Sequence, residues 1–179
     1  MKLRGKLLSA VVTVGAALAA VMVTPGMAHA TTDPFACYIQ TSDHRHYITA
    51  VGGGGRTTDV LHTNVTVPGS WERFTRVPQG DLFGHFALRT ASGNYLTTLA
   101  SGGLSGDAFA DVFHTDATRI QGWELFSTTG IAAGGVGIRV ADNHFMAALN
   151  GGGRTSRTFD TNRVNLIQPD TAFFFTCNV

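Results

Sequence analysis

The chain has 179 residues, and its 13 lysines and arginines against 12 acidic residues give a formal net charge of +1. Removing the three basic residues of the first segment, Lys2, Arg4 and Lys6, leaves 10 arginines against 12 acids, a charge of about −2 for residues 31–179. No basic tract remains, which excludes the electrostatic signature of a nucleic-acid-binding protein and offers no attraction to an anionic membrane surface.

Residues 1–30 have the layout of a secretory signal peptide. The basic start precedes an apolar run over residues 7–23, Pro25-Gly26 breaks that run, and Ala28-His29-Ala30 is a small-x-small cleavage site. A transmembrane anchor is the alternative, but the run is short for a membrane span and a cleavage site follows it. We therefore expect a secreted protein with a single domain over residues 31–179.

The first repeat, residues 37–78, is expected to contain four short strands. Apolar and β-branched residues between turn residues place these strands at residues 38–40, 47–51, 60–63 and 71–75. The glycine run at residues 52–55 forms the loop between the second and third strands. In the fourth strand, Trp71-Glu72-Arg73-Phe74 alternates large apolar with polar residues, which predicts a half-buried strand.

The same four-strand pattern recurs in residues 85–129 and in residues 136–177. Strands are predicted at residues 86–89, 95–99, 112–116 and 123–126, and then at residues 138–140, 145–149, 158–159 and 173–175. Between the first two repeats the offset grows from 48 to 52 residues, which indicates a four-residue insertion in the glycine loop at residues 101–106. The third repeat lacks the Trp-Glu pair, as terminal repeats often do.

The third repeat retains the glycine loop of the first, because Gly53-Gly54-Gly55-Arg56-Thr57 returns 98 residues later as Gly151-Gly152-Gly153-Arg154-Thr155. Further residues return at the same offset without a gap: His46 as His144, Ala50 as Ala148, Thr63 as Thr161 and Asn64 as Asn162. These identities are too many for chance and indicate an internal duplication.

Three units of four short strands, with no long helical pattern after residue 30, predict an all-β fold. Propeller blades also have four strands, but three blades are fewer than propellers normally use. A β-trefoil, which is a closed six-stranded barrel capped by three hairpins with pseudo-threefold symmetry, fits three units and leaves no barrel edge exposed. Closure brings the first and last strands together, so we expect a disulfide bond between Cys37 and Cys177.

The repeat signatures resemble those of the fascin-like β-trefoil family. The matching segments are Tyr47-Ile48-Thr49-Ala50, Gly53-Gly54-Gly55, Val60-Leu61-His62-Thr63-Asn64 and Trp71-Glu72-Arg73-Phe74. The sequence is still more similar to the fascin-like and ricin-like modules of secreted bacterial glycoside hydrolases, and Gln121-Gly122-Trp123 resembles the Gln-x-Trp of ricin-type lectins. The resemblance covers the whole mature domain and implies a β-trefoil whose relatives include carbohydrate-binding modules and actin cross-linkers.

The candidate ligand-binding residues are those that the duplication retains outside the expected core. Arg56-Thr57 and Arg154-Thr155 follow the glycines, which let a backbone approach a ligand closely, and arginine offers a planar fork or a face for a sugar ring. Solvated loop arginines are the alternative. Asn64 and Asn162 can hydrogen-bond hydroxyl groups, although turn formation also explains them. The second repeat lacks the arginine, which limits such sites to two.

The repeated aromatic residues are interpreted as core. Trp71 and Trp123 occupy the same repeat position, as do Tyr47, Tyr95 and Phe145, and a repeated position in a symmetric fold is normally buried.

The repeated acidic and histidine residues are not expected to form a reactive centre. His46 and His144 are symmetry mates, so they are expected to lie too far apart for a metal site. Glu72 and Glu124 are likewise expected to be too distant for the carboxylate pair of a glycosidase. Since no nucleophile motif occurs, we predict a non-enzyme without a cofactor or a metal.

Three functions are consistent with the sequence. The first is a secreted glycan-binding protein that uses the Arg-Thr loops, and the second is a secreted protein-binding module, such as a protease inhibitor or extracellular adaptor, that uses the insertion near residues 101–109. The third, fascin-like actin binding, is disfavoured by the signal peptide and by the absence of lysine after residue 30. Neither nucleic acid nor a membrane is expected as a partner.

Overall fold

The computed structural model describes residues 35–132, 134–166 and 170–179, so the predicted signal peptide lies outside the described residues. The described part contains twelve strands, four in each predicted repeat. The first repeat has β1 Ala36–Thr41, β2 Tyr47–Ala50, β3 Leu61–Val65 and β4 Arg73–Pro78. The second has β5 Phe86–Arg89, β6 Tyr95–Thr98, β7 Phe113–Ala117 and β8 Ser127–Gly130. The third has β9 Val136–Arg139, β10 Phe145–Ala148, β11 Phe159–Arg163 and β12 Phe173–Cys177.

Six of these strands form a closed antiparallel ring. β1 pairs with β4 and β12, β4 pairs with β5, and β9 pairs with β8 and β12. A bridge between Phe86 in β5 and Phe126, the residue before β8, completes the ring. The remaining strands form the hairpins β2–β3, β6–β7 and β10–β11, one in each repeat. This arrangement is the β-trefoil that the repeat pattern predicts.

Aromatic residues at repeat-equivalent positions fill the core. The closing strands place a fully buried phenylalanine in each repeat, at Phe74, Phe126 and Phe173. The Phe86 ring lies 6.3 Å from that of Phe126, and the Arg76 guanidinium covers Phe86 at 4.2 Å from the ring centroid. One cluster of buried side chains therefore receives contributions from all three repeats, which explains why the aromatic positions recur.

The predicted disulfide bond joins the two ends of the domain. Cys37 in β1 lies directly opposite Cys177 in β12, with the Cα atoms 3.9 Å apart and a sequence separation of 140. The bond therefore fastens the seam at which the first and last barrel strands meet. Disulfides persist in oxidising compartments, so the bond fits an extracellular protein.

The prediction of a strand that begins with a buried tryptophan is wrong. Trp71 and Trp123 are 49% and 50% exposed and precede the strands, which begin at Arg73 and Ser127. The adjacent glutamates are buried instead, because each carboxylate accepts a backbone N–H of the preceding turn and holds that turn in place. With the glutamate turned inward, the tryptophan faces outward.

The prediction that the repeated aromatic residue at the start of the second strand is buried in the core holds for one repeat of the three. Phe145 in β10 is 3% exposed, whereas Tyr47 and Tyr95 are half-buried. Tyr47 lies against Tyr38, with ring centroids 6.3 Å apart, in an edge-to-face arrangement. A phenol can pack its ring against neighbours while its polar end stays in contact with water.

The glycine loops connect neighbouring repeats rather than projecting freely. In the first repeat, Gly54 has φ +106, and a Cβ built on it would lie 2.3 Å from Thr90 Oγ1 in the turn of the second repeat. Gly102 and Gly152 make the same close approach to Asp142 and Thr41. Only glycine fits at this point, so the run of glycines marks an inter-repeat contact.

The insertion of the second repeat lies after this contact. Gly103 and Leu104 pair with Thr161 through backbone hydrogen bonds of 2.8 Å each, as their counterparts do in the other repeats. The additional residues therefore follow Leu104. Their backbone is anchored where Gly106 donates its N–H to the buried Asp160 carboxylate at 2.7 Å.

Candidate functional site

The predicted arginines lie in loops whose backbone belongs to the inter-repeat contact. Thr115 in the second repeat accepts the Gly55 N–H at 2.7 Å and donates its own N–H to the Arg56 carbonyl at 2.8 Å. Thr63 in the first repeat makes the same pair of bonds with the loop that carries Arg154. Since Leu104 takes this position in the second repeat, the backbone contact does not itself require arginine.

Both arginine side chains fold back onto their own loops. Arg56 Nε donates to the Thr58 carbonyl and Arg154 Nε donates to the Ser156 carbonyl, each at 3.2 Å. Arg56 also contacts Asp59 at 3.5 Å, with both side chains substantially exposed, and such pairs contribute little to stability. The Nε donor of each guanidinium is therefore already used in a hydrogen bond within its own loop.

The structure divides the six predicted residues among different places. Because Arg154 pairs with Thr63, it lies beside Asn64, which is the next residue of β3. Arg56 instead lies beside the strand that carries Asp116, and Asn162 adjoins the loop of Leu104. The predicted residues therefore meet across repeats, Arg154 of the third with Asn64 of the first.

The threonines that follow the arginines are exposed. Thr57 and Thr155 both lie on the surface, and Thr155 lines a depression of about 330 Å³ together with Asp111 and Arg157. The loops of all three repeats reach this depression, which therefore lies near the pseudo-threefold axis.

Two surface clefts that the sequence did not predict lie between neighbouring repeats. One lies between the first and second repeats, and the other between the second and third. The first cleft, of about 340 Å³, is lined by Ser70, Arg73, Thr75, Arg89, Thr90, Ala91 and Gly93. The second cleft, of about 380 Å³, is lined by His85, Ser101, Gly122, Trp123, Leu125, Ser127, Val140, Ala141 and Asn143. Each lies between the turn before a closing strand and the first hairpin turn of the next repeat.

Each cleft has one of the exposed tryptophans at its border. Trp123 lines the second cleft directly. Trp71 flanks Gly53, where a built Cβ would lie 3.5 Å from the indole and 3.7 Å from the Ala91 methyl group that lines the first cleft. The indoles are placed by the turns that the buried glutamates fix, so they present their faces without a flexible loop.

The third junction differs from the other two. Ala148 donates its N–H to the Asp170 carbonyl at 2.8 Å, as Ala50 does to the Trp71 carbonyl at 2.9 Å, so an aspartate takes the tryptophan position. The rings of His44 and Phe174 lie 4.1 Å apart between the corresponding turn and closing strand. Two junctions therefore share the tryptophan-bordered cleft, and the third has an aromatic pair instead.

A sequence signal for this site was present in the repeated Trp-Glu pair. Glu72 and Glu124 are each only 5% exposed, which is unusual for glutamate. A glutamate whose carboxylate closes the turn faces inward, and its neighbouring tryptophan is exposed. Recognising the glutamate as a turn-closing acceptor, rather than as the polar half of an alternation, predicts the exposed indole.

Histidine–aspartate pairs stand at the first hairpin turns of two repeats. His46 contacts Asp43, and His144 Nδ1 lies 2.7 Å from Asp142. Although burial raises the pKa of the Asp43 carboxyl, hydrogen bonds from the Arg45 backbone, His46 and Thr41 outweigh it and lower that pKa below 3.8. Within the described residues, no group of three histidine, cysteine, aspartate or glutamate side chains could hold a metal ion.

The described residues also contain no helix long and apolar enough to cross a membrane.

Comparison with known proteins identifies the fold. ThreeFoil, a designed threefold-symmetric protein, has a TM-score of 0.64 and 8% identity over 78% of this chain and 96% of its own. The cytolethal distending toxin of Haemophilus ducreyi has a TM-score of 0.63 and 11% identity, covering 82% of this chain and 86% of that one. A BEL β-trefoil has a TM-score of 0.60 and 10% identity, covering 82% and 95%. No protein-family model and no curated protein matches. The chain is a β-trefoil, and its fascin-like or ricin-like membership stays a prediction.

Proposed function

We propose that this protein is a secreted, non-catalytic carbohydrate-binding β-trefoil whose two binding sites are the first and second clefts. The observation that carries the proposal is the pair of half-exposed tryptophans at these clefts. Indole rings of this size are normally buried, and exposed ones are enriched where a protein contacts a ligand or a partner.

The chemistry of the clefts suits a sugar. An indole offers a flat apolar face for the C–H groups of a pyranose ring and an N–H donor at its edge. Hydroxyl groups of Ser70 and Thr90 in the first cleft, and of Ser101 and Ser127 in the second, lie within reach of the same space. Such a combination of an apolar face with a few fixed polar groups is typical of small-ligand sites.

Two sites on one rigid domain favour a repeating ligand. Each open cleft by itself offers few contacts, so we expect weak binding to a monosaccharide. A polysaccharide or glycan-coated surface can engage both clefts, and the second contact then benefits from a high effective concentration.

The test is a glycan array or a polysaccharide pull-down with the mature domain and four variants. Trp71→Ala and Trp123→Ala are each expected to weaken binding at least tenfold on a multivalent surface, and the double variant to abolish it. The matched control is the Arg56→Ala, Arg154→Ala pair, which removes the loop arginines and leaves both clefts intact.

The outcomes separate the two candidate locations. Loss of binding in the tryptophan variants alone supports the clefts, whereas loss in the arginine variant alone restores the loops that the sequence predicted. Absence of binding to any glycan, in a correctly folded domain, contradicts the proposed function.

A protein-binding role is the second candidate, and the loop between β4 and β5 favours it. Leu82 is fully exposed and Phe83 is 79% exposed at the tip of this loop. The Asp81 carboxylate accepts the N–H groups of His85 and Phe83 at 3.0 and 3.1 Å and also contacts the His85 ring. These bonds, the His85 N–H foremost, lower the pKa of the Asp81 carboxyl. The tip therefore presents two apolar side chains on a fixed backbone.

This loop is a better candidate for protein binding than the predicted insertion. The insertion exposes one large apolar side chain, Phe109 at 47%, and its backbone is tied to Asp160. A protease panel and a secreted-protein pull-down with the wild type and a Leu82→Asp, Phe83→Asp variant test the role. Inhibition or capture that the variant loses supports it, and no inhibition across the panel removes the inhibitor version.

A further inference from the structure

The two clefts have the same place in the fold but different chemistry. Arg73 lines the first cleft two residues after Trp71, and Leu125 lines the second two residues after Trp123. The hairpin turn opposite contributes Thr90 to the first cleft, where the second has a valine. At these two positions the first cleft therefore has a guanidinium and a hydroxyl, where the second has aliphatic side chains.

A second arginine strengthens this difference. Arg89 lines the first cleft, and it pairs across its hairpin with Tyr95 as Arg139 pairs with Phe145 in the next repeat. Arg139 does not line the second cleft, because its guanidinium stacks 4.6 Å from the Phe145 ring centroid and its Nε donates to a threonine hydroxyl at 3.2 Å. Of these two equivalent arginines, Arg89 therefore lines the first cleft, whereas Arg139 does not line the second.

Arg73 has an unused donor at this place. Its Nε is buried, and no group among the described residues accepts a hydrogen bond from it. A buried donor on a charged group is unfavourable without an acceptor, so the Arg73 guanidinium lacks an internal partner at this atom. None of the described side chains that line the first cleft is acidic, and the cleft itself therefore supplies no carboxylate.

We propose that the first cleft binds the anionic group of an acidic glycan, either a uronate carboxylate or a sugar sulfate, while the second cleft takes a neutral sugar. This inference rests on the proposed carbohydrate-binding function. The planar guanidinium of Arg73 matches the geometry of a carboxylate or sulfate, and the Trp71 face receives the ring that carries the group.

The first test uses glycans that differ only in charge. The pairs are oligogalacturonate with its methyl ester, and a sulfated oligosaccharide with its desulfated form, so that the two anionic groups are distinguished. The wild type is expected to prefer a charged member by about tenfold or more. Arg73→Leu, which introduces the residue of the second cleft, removes that preference and leaves neutral binding at Trp123.

Two further variants keep the test informative if Arg73→Leu folds poorly. Arg73→Lys retains the charge without the planar fork and is expected to lose most of the preference. Leu125→Arg places the guanidinium in the second cleft and is expected to raise binding of the charged member there. Thermal unfolding of each variant confirms that the fold is intact.

A second measurement follows the Arg73 side chain by NMR during titration with a ligand. Titration with free glucuronate is expected to move the Arg73 Nε–H resonance, whereas methyl glucoside at the same concentration is not. Equal binding of charged and neutral glycans, or a preference that survives in Arg73→Leu, overturns the acidic-glycan inference but leaves carbohydrate binding in place. If no glycan binds and the resonance does not move, both proposals fail.

Discussion

At the scale of single residues, two buried glutamates decide which way the candidate tryptophans point. Glu124 accepts the Gln121 N–H at 2.7 Å and the Thr97 hydroxyl at 2.8 Å. Glu72 accepts the Gly69 N–H at 2.7 Å, but the hydroxyl of Thr49, which corresponds to Thr97, is buried without an acceptor among the described residues. Both carboxylates accept an N–H of the preceding turn, and they differ by one side-chain hydrogen bond.

This difference predicts unequal effects of one substitution. Glu124→Ala is expected to lower the free energy of unfolding by about 3 kcal/mol, and Glu72→Ala by about 2 kcal/mol, because each removes a hydrogen bond between a buried carboxylate and the backbone and the first also removes the bond to Thr97. Urea unfolding of both variants provides the measurement. Equal losses, or a loss under about 0.5 kcal/mol for either, would contradict the turn-closing role of these carboxylates.

The same residues show what the sequence could and could not predict. The positions of Trp71-Glu72 and Trp123-Glu124 located the ends of the repeats correctly, because periodicity reports topology. Their burial was predicted with the wrong sign, because alternation along a strand does not reveal which face is inside when both residues are large. The carboxylate–backbone bonds that reverse it depend on a turn, and the turn is fixed by contacts from another strand.

Asp43 gives a residue-level prediction of pH dependence. Hydrogen bonds hold the pKa of its carboxyl below the ordinary value of 3.8 in the folded protein. A lowered folded pKa means that the stabilising contribution is complete above pH 3.8 and is lost as the pH falls through the folded pKa. Asp43→Asn is expected to flatten the decline in unfolding free energy below pH 4. Asp107→Asn, which removes the same charge from an exposed turn, is the control, and an unchanged slope in Asp43→Asn argues against the prediction.

At the scale of elements, the glycine loops are inter-repeat joints. The Gly53 carbonyl accepts the Ser92 N–H at 2.8 Å, and the corresponding bonds recur at both other junctions. The recurrence of this loop in the sequence is therefore explained by its backbone contacts between repeats. Ligand binding by Arg56 and Arg154 stays a prediction, because a sequence alone does not separate retention for backbone contact from retention for a ligand.

Two glycines of one loop allow a matched test of the joint. Gly52 and Gly54 both have positive φ, at +66 and +106, but a Cβ on Gly52 has no neighbour within 3.8 Å, whereas one on Gly54 clashes with Thr90 at 2.3 Å. Gly52→Ala is expected to cost about 1 kcal/mol through backbone strain alone. Gly54→Ala adds overpacking and is expected to cost about 3 kcal/mol or more. Thermal unfolding measures both losses of stability. Equal losses would show that the contact between Gly54 and Thr90 rearranges to accommodate the added methyl group.

At the scale of the whole molecule, the pseudo-threefold symmetry is broken in a way that leaves two candidate sites. The third repeat replaces the tryptophan with Asp170 and fills the corresponding space with His44 and Phe174. That same repeat meets the first at the disulfide-bonded seam between β1 and β12. The molecule therefore separates a junction that fastens the domain from two junctions that carry open clefts.

This separation predicts that the disulfide bond affects stability and not binding. Closing a loop that spans 140 residues is expected to stabilise the fold by up to about 4–5 kcal/mol, mainly by restricting the unfolded chain. The Cys37→Ala, Cys177→Ala variant is therefore expected to unfold at a much lower urea concentration. Well below that midpoint, its glycan affinity is expected to equal that of the wild type, because neither cysteine lines either cleft. Equilibrium unfolding and glycan titration on the same samples measure the two quantities. A loss of affinity in fully folded protein would show that the seam and the clefts are coupled, and a stability loss under about 1 kcal/mol would show that barrel pairing alone holds the seam.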